Sequence, residues 1–388
     1  MPPRQRTRKP PDKPLAEQVL EEQPQADNPL LDPPVRLFLP TGCAVLNCVL
    51  SDRVDGGWPC GRIVNPIGDS DTCKTVMAMG ALAEAAGLRA FDKHRLIYLD
   101  EEASVTCQPL FGSRLKRIGL LTPDAEDPQY RAPETIEELH YFLLDRLDEG
   151  PFICVVDSFD ALPSRQELEE TKTTKKIVEA ARKKADEQEE ETESGQQPKK
   201  PKGSYNMSKQ KYNKKMLREI KGKITESDSL LIIVSQTIAN INSMFDPKTV
   251  AGGVALEFFS RIRFWLSKTE KTDTVGPKGR KTEIGRNLLC KVTKNHITGK
   301  KRKCNLWVYE KYGIMDVMTS LDWLVAEGAL PKLSGWVEVP QWGVKKQMKD
   351  LIKHVLDNHL EESLAKLVQE QWDKKEASLD MGWGRRYE

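Results

Sequence analysis

Gly61-Arg-Ile-Val-Asn-Pro-Ile-Gly68-Asp-Ser-Asp-Thr-Cys73-Lys74-Thr75-Val-Met-Ala-Met79 is the stretch whose reading decides the fold. A β-branched run (Ile63, Val64, Ile67) meets a polar turn at Gly68, and a helical pattern starts at Lys74. Strand, loop and helix N-terminus in that order make a phosphate-binding loop, whose usual pattern is G-x-x-x-x-G-K-[ST]. Gly68, Lys74 and Thr75 are in place, whereas Cys73 stands where the second glycine belongs. Glycine there lets the backbone approach phosphates with no side chain in the way. Cys73 is therefore expected to crowd the β-phosphate or to tilt the loop.

The strands that follow end in chemistry of the same kind. Arg95-Leu-Ile-Tyr-Leu-Asp100 runs into Glu101 and Glu102, and Phe152-Ile-Cys-Val-Val-Asp157 ends in an acid. Ser229-Leu-Leu-Ile-Ile-Val-Ser-Gln236 ends in an amide. Continuously apolar strands alternating with helices mean a mostly parallel sheet covered on both faces. Ligands bind such α/β sheets at the carboxyl ends of the strands. Gly68 to Thr75, Glu102, Asp157 and Gln236 all fall there.

The rest of the chain is read outward from this core. With 388 residues there is room for one large domain and a smaller one. Sixty basic against 58 acidic residues leave a net charge of +2, so only local charge speaks of partners. No apolar run approaches the roughly 20 residues of a membrane span, and the Arg- and Pro-rich start has no apolar signal core. Eight cysteines without a C-x-x-C pair, several in apolar runs, read as reduced thiols of a cytoplasmic protein. Residues 1–33 read as a disordered arm, 34–318 as the core and 319–388 as a small, mainly helical module. The charged stretch of about 168–202 reads as an insertion, and the strongly basic 207–224 as a helix. Helices are also expected over 40–50, 74–86, 109–118, 136–147 and 254–259, and helical spacing returns at 321–325 and from 344 onward. Residues 271–286 read as a polar connection between strands.

The order of these parts resembles the RecA-type recombinases, and bacteriophage RecA/UvsX-like members more than the bacterial housekeeping form. The words that carry the resemblance are Thr41-Gly42, Gly57-Trp-Pro-Cys-Gly-Arg-Ile-Val64, the loop at 68–75 and Tyr98-Leu-Asp-Glu-Glu102. Val155-Val-Asp-Ser-Phe-Asp-Ala-Leu162, Leu231-Ile-Ile-Val-Ser-Gln236, Ala251-Gly-Gly-Val-Ala-Leu-Glu-Phe258 and Val292-Thr-Lys-Asn295 follow. The resemblance covers about 35–335 and implies a RecA-like P-loop NTPase core that uses ATP and Mg²⁺. It implies a homo-oligomeric filament on single-stranded DNA that pairs with double-stranded DNA.

The same resemblance implies roles by position. Gly68, Asp69, Ser70, Asp71, Thr72, Cys73, Lys74, Thr75 and Val76 would cradle the nucleotide, with Lys74 on the β/γ-phosphates. Thr75 and Asp157 would hold Mg²⁺, Glu102 would orient the attacking water, and Gln236 would sense the γ-phosphate. Phe111 would stack on adenine, and Lys294 would reach the nucleotide of a neighbouring subunit. Met207, Ile241, Phe245, Gly252, Gly253 and Arg261 would meet DNA. Besides Cys73, the chain departs from the family pattern at Ile238, Glu257 and His296. Two rival readings are a RecA-like DNA-binding scaffold without turnover and a RecA-fold helicase or motor.

Overall fold

A central strand that carries both a buried asparagine and a proline sets the layout of the sheet. The computed structural model describes residues 33–101, 111–170, 172–175, 205–239, 248–250, 253–276 and 281–380, with backbone alone at 205–208, 238–239, 248–249 and 253. The chain divides into two units, 1–36 and 37–388, and the named elements belong to the second. In chain order they are β1 (Phe38–Leu39), α1 (Ala44–Ser51), β2 (Trp58–Pro59), β3 (Arg62–Gly68) and α2 (Lys74–Gly87). Next come β4 (Arg95–Asp100), β5 (Ile118–Leu121), α3 (Ile136–Asp148), β6 (Phe152–Asp157), α4 (Tyr205–Glu226) and β7 (Leu230–Ile233). β8 (Ser235–Ala239), β9 (Lys248–Val250), α5 (Gly253–Phe259), β10 (Ile262–Val275), β11 (Thr282–Asn295), β12 (Lys303–Tyr309) and β13 (Gly313–Ile314) complete the main sheet and its cover. α6 (Asp316–Ala326), β14 (Lys332–Leu333), β15 (Trp336–Val339), β16 (Val344–Gln347), α7 (Met348–Asp357) and α8 (Glu361–Ser378) follow.

The main sheet runs β13-β12-β11-β10-β3-β7-β6-β4-β5. β10, β3, β7, β6, β4 and β5 are mutually parallel, and β11 to β13 extend the β10 edge antiparallel. One face packs on α1, α2 and α6, and the other on α3 and α4. Every residue of β3 is buried. Pro66 offers no N–H to either neighbour. Its predecessor compensates: Asn65 Nδ2 donates to the Ile233 carbonyl at 2.7 Å and to Ser235 Oγ at 3.0 Å. Asn65 Oδ1 accepts from Arg263 Nε at 3.1 Å. The satisfied amide joins β3 to the β7–β8 junction on one side and to β10 on the other, so burying it carries no unpaired polar group.

Three local expectations change. Residues 112–117 form a short 3₁₀ turn and 118–121 a strand, because β4 offers Ile118 to Leu121 a parallel partner. The expected connection at 271–286 is largely ladder: β10 and β11 are long paired strands, and the outer half of β10 is largely exposed on both faces, so its charged residues show no period of two. Residues 344–347 form β16, the last strand of an antiparallel β14-β15-β16 meander, before the helical spacing begins at Met348.

The C-terminal helix is fastened to the core. Trp372 on α8 is buried beside Trp323, and its Nε1 donates to Asp52 Oδ1 at 3.1 Å. Gln369 joins the backbone at Asp52 and Val54. Arg302 grips Glu376 with two bonds of 2.7 and 2.8 Å. These ion pairs are partly exposed and each contributes little, so the buried indole is the main anchor. Trp372→Ala is expected to cost about 3–5 kcal/mol, read as a lower denaturant midpoint for the whole chain. An unchanged midpoint would show that α8 docks without the indole.

Candidate nucleotide-binding site

β3 delivers its last residue, Gly68, between Gln236 on β8 and Leu266 on β10. A Cβ at Gly68 would run into Thr72 Oγ1 and stand 2.7 Å from the Leu266 carbonyl, so only glycine fits. The loop then closes on itself. The Asp69 carbonyl accepts from Thr72 Oγ1 at 2.8 Å and from Lys74 Nζ at 2.6 Å. α2 begins at Lys74 with no acidic residue in its first turn and no side-chain cap. Its leading N–H groups and positive dipole end therefore suit an anion.

Cys73 sits in this loop at φ +58°, and Asp71 has the same φ. The left-handed conformation costs an L-residue about 1–2 kcal/mol, a second reason why the pattern calls for glycine. The Cys73 side chain packs on the core cluster, and burial raises its thiol pKa, with Arg286 and Lys268 opposing. The side chain thus lies against the core while the backbone at Cys73 takes the left-handed conformation.

Thr75 Oγ1, one residue beyond the lysine, donates to Asp157 Oδ2 at 2.6 Å. Tyr98 OH donates to the same oxygen at 2.6 Å. Asp157 ends β6, beside Asp100 at the end of β4, and the 157–158 peptide is cis. Among the described residues no three His, Cys, Asp or Glu gather as a metal cage. A hydroxyl and a carboxylate side by side fit Mg²⁺, which takes one or two protein ligands and completes its shell with phosphates and water. Tyr98 had no assigned role; its signal was an aromatic hydroxyl two residues before a strand end, in register with β6.

Glu102 lies outside the described residues. Its neighbour Glu101 is mostly buried, with Oε1 lacking a hydrogen-bond partner. Burial, aided by Asp100, raises its pKa from 4.5 to about 8. Gln236 is in register with Gly68, and its backbone N–H donates to Asp160 Oδ2 at 2.9 Å. Phe111 lines a cavity of about 250 Å³ with Thr41, Gly42, Val76, Tyr312 and Gly313. Val76 follows Thr75 directly, so this slot opens beside the phosphate loop. Tyr312 and Gly313 were not expected there, since they arrive from the far edge strand.

The remaining assignments gather elsewhere. Lys294 Nζ donates to the carbonyls of Glu257 and Phe258 at 2.6 and 2.9 Å, at the C-terminal end of α5. Burial, then Arg261 and Arg263, lowers its pKa. Glu257 pairs with the buried Arg263 at 3.1 Å, which accounts for an acid at that position. Lys294 is in register with Arg263 and hence with Asn65, three residues before Gly68. At about 3.3 Å per residue the cluster stands some 10 Å down the sheet from its own loop. His296 Nδ1 lies 3.4 Å from Arg261 Nη1. Met207 is in the first turn of α4 and Gly253 opens α5, with side-chain positions undescribed, while Ile241, Phe245 and Gly252 fall outside the described residues.

Comparison with known proteins bears on this arrangement. The family model of the RecA N-terminal domain matches residues 202–315. RecA of Borreliella burgdorferi (strain ZS7) is 24% identical over 333 residues, covering 82% of this chain and 78% of that protein. The plasmid RecA of Lactococcus lactis subsp. lactis is 26% identical over 246 residues, covering 62% of this chain and 58% of its own length. The chain thus resembles the RecA-type recombinases. Its sheet and phosphate loop are therefore a RecA-like α/β core with a C-terminal module. Among the described residues no helix is long and apolar enough to cross a membrane.

Glu101 generates a pH prediction. Its folded pKa lies above the unfolded value, so the protonated carboxyl is favoured by the fold. Its contribution is complete below about pH 4.5 and is lost as pH rises through about 8. Glu101→Gln should melt higher than the parent above that pH and close to it under acid conditions. Parallel melting curves across the range would contradict the burial assigned to Glu101.

Proposed function

We propose that this chain is an ATP-dependent DNA recombinase that forms filaments on single-stranded DNA, pairs that strand with a homologous duplex and exchanges strands. The observation that carries the reading is the convergence of Lys74, the Thr75–Asp157 pair and Gln236 at neighbouring strand ends. Lys74 gives up the Asp69 carbonyl for β- and γ-phosphate oxygens. Thr75 and Asp157 would hold Mg²⁺, which would supply charge neutralisation at the phosphates. Glu102 orients the attacking water, and Gln236 senses the γ-phosphate. Phe111, with Tyr312 and Gly313, receives the adenine. ATP is hydrolysed to ADP and phosphate, which resets the filament.

The distance of Lys294 from its own loop supports a role at the nucleotide of a neighbouring copy, where its charge steadies the departing phosphate. Val254 and Phe258 are 76% and 70% exposed beside Lys211 and Lys214. An apolar patch of that kind marks a surface that another chain covers. Met207, Ile241, Phe245, Gly252, Gly253 and Arg261 contact DNA, and the lysines of α4 supply the phosphate attraction. We further assign 1–33 to an arm, 34–318 to the core with an insertion at about 168–202, and 319–388 to the C-terminal module. The setting is the bacterial cytoplasm, with a bacteriophage source.

A second reading, a DNA-binding scaffold without turnover, is favoured by one observation, the left-handed Cys73. ATPase assays with and without single-stranded DNA separate the two. The first reading predicts DNA-stimulated turnover that falls about 10²–10³-fold in Lys74→Ala and in Glu102→Gln, and that Cys73→Gly keeps or raises. DNA binding without turnover, together with activity gained only in Cys73→Gly, would replace it with the second.

A further inference from the structure

The phosphate loop is bonded directly to β8, the strand that precedes the candidate DNA-contact residues Ile241 and Phe245 in the chain. Thr237 Oγ1 donates to Asp69 Oδ1. Thr237 is the residue after Gln236, and the register of Gly68 with Gln236 sets residues 69 and 237 side by side at the next step. Across β8, Thr237 pairs with Val250 on β9, so the bond lies at the base of the β8–β9 hairpin. The start of β8 is thereby held by carboxylates from two directions: Asp160 on the Gln236 amide at 2.9 Å, and Asp69 on the Thr237 hydroxyl.

Asp69 is placed to report on the phosphates. Its carbonyl is the acceptor that Lys74 Nζ holds at 2.6 Å and Thr72 Oγ1 holds at 2.8 Å. A lysine drawn onto phosphate releases that carbonyl, while the incoming negative charge acts on the Asp69 carboxylate. The carboxylate carries Thr237 with it, because a hydrogen bond to an ionised acceptor is shorter and stronger than a neutral one. A contact that differs between the empty and filled loop is what coupling between two sites requires.

We infer that Thr237 is a positioning residue: through Asp69 it transmits phosphate occupancy to the β8–β9 hairpin, in parallel with Gln236, and so sets how strongly nucleotide changes DNA affinity. The inference rests on the nucleotide and DNA reading proposed above.

The test is the affinity of the full chain for a fluorescein-labelled single-stranded oligonucleotide, with and without a non-hydrolysable ATP analogue and Mg²⁺. The analogue's own affinity is measured separately. Thr237→Val removes the hydroxyl and keeps the shape; Thr237→Ser restores the donor. The ratio of the two DNA affinities should shrink about tenfold in Thr237→Val, on the scale of one hydrogen bond to a charged group. Thr237→Ser should retain the parental ratio, and nucleotide affinity should hold in both. A parental ratio in Thr237→Val would overturn the inference, as would loss of nucleotide binding or of the fold in that variant with the ratio intact in Thr237→Ser. A parent whose DNA affinity ignores nucleotide would instead sink the functional reading itself.

Discussion

The hydrogen bond from Thr75 to Asp157 is the constraint on which the rest of the site depends. It fastens the first turn of α2, which follows β3, to the end of β6, with β7 lying between the two strands in a parallel sheet. Everything nearby takes its position from that join. Tyr98 adds a second donor to the same oxygen, and Lys74 is held over the loop one residue earlier. A parallel sheet places such ends on one edge. A loop, a carboxylate and an amide from distant parts of the chain therefore meet without any segment of their own to bring them there.

Against this stands the backbone at Cys73. A left-handed L-residue is tolerated only where its surroundings over-determine it, and two features do so here. Gly68 permits the tight approach of Thr72 and Leu266, and the Cys73 side chain finds apolar contact on the core side. The loop keeps its closed form at a local cost of about 1–2 kcal/mol, small beside the burial energy of the sheet it caps. The departure from the pattern thus changes local strain more than architecture.

The sheet was legible because buried parallel strands are continuous apolar runs and helices repeat near 3.6 residues. α2, α3 and β6 follow the expected limits closely, while α1 starts four residues later than expected. The misses share a cause. The outer half of β10 is largely exposed on both faces, and β16 is a four-residue strand beside a helix, so neither carries a periodic apolar signal. Within the site, Lys74, Thr75, Asp157 and Gln236 could be read because each ends or follows a strand. Tyr98, Tyr312 and the Asp69–Thr237 bond could not, since they depend on register between strands far apart in sequence. Position 73 was visible as a departure, but its backbone conformation belongs to the folded loop alone.

The central claim is that Thr75, Asp157 and Lys74 form a working nucleotide site despite Cys73. Calorimetric titration of the full chain with ATP, in the presence and absence of Mg²⁺, tests it most directly. One ATP per chain should bind, more tightly with Mg²⁺, and Asp157→Asn should abolish the Mg²⁺ effect while leaving metal-free binding in place. Absence of binding, or binding indifferent to Mg²⁺ in the parent chain, would contradict it.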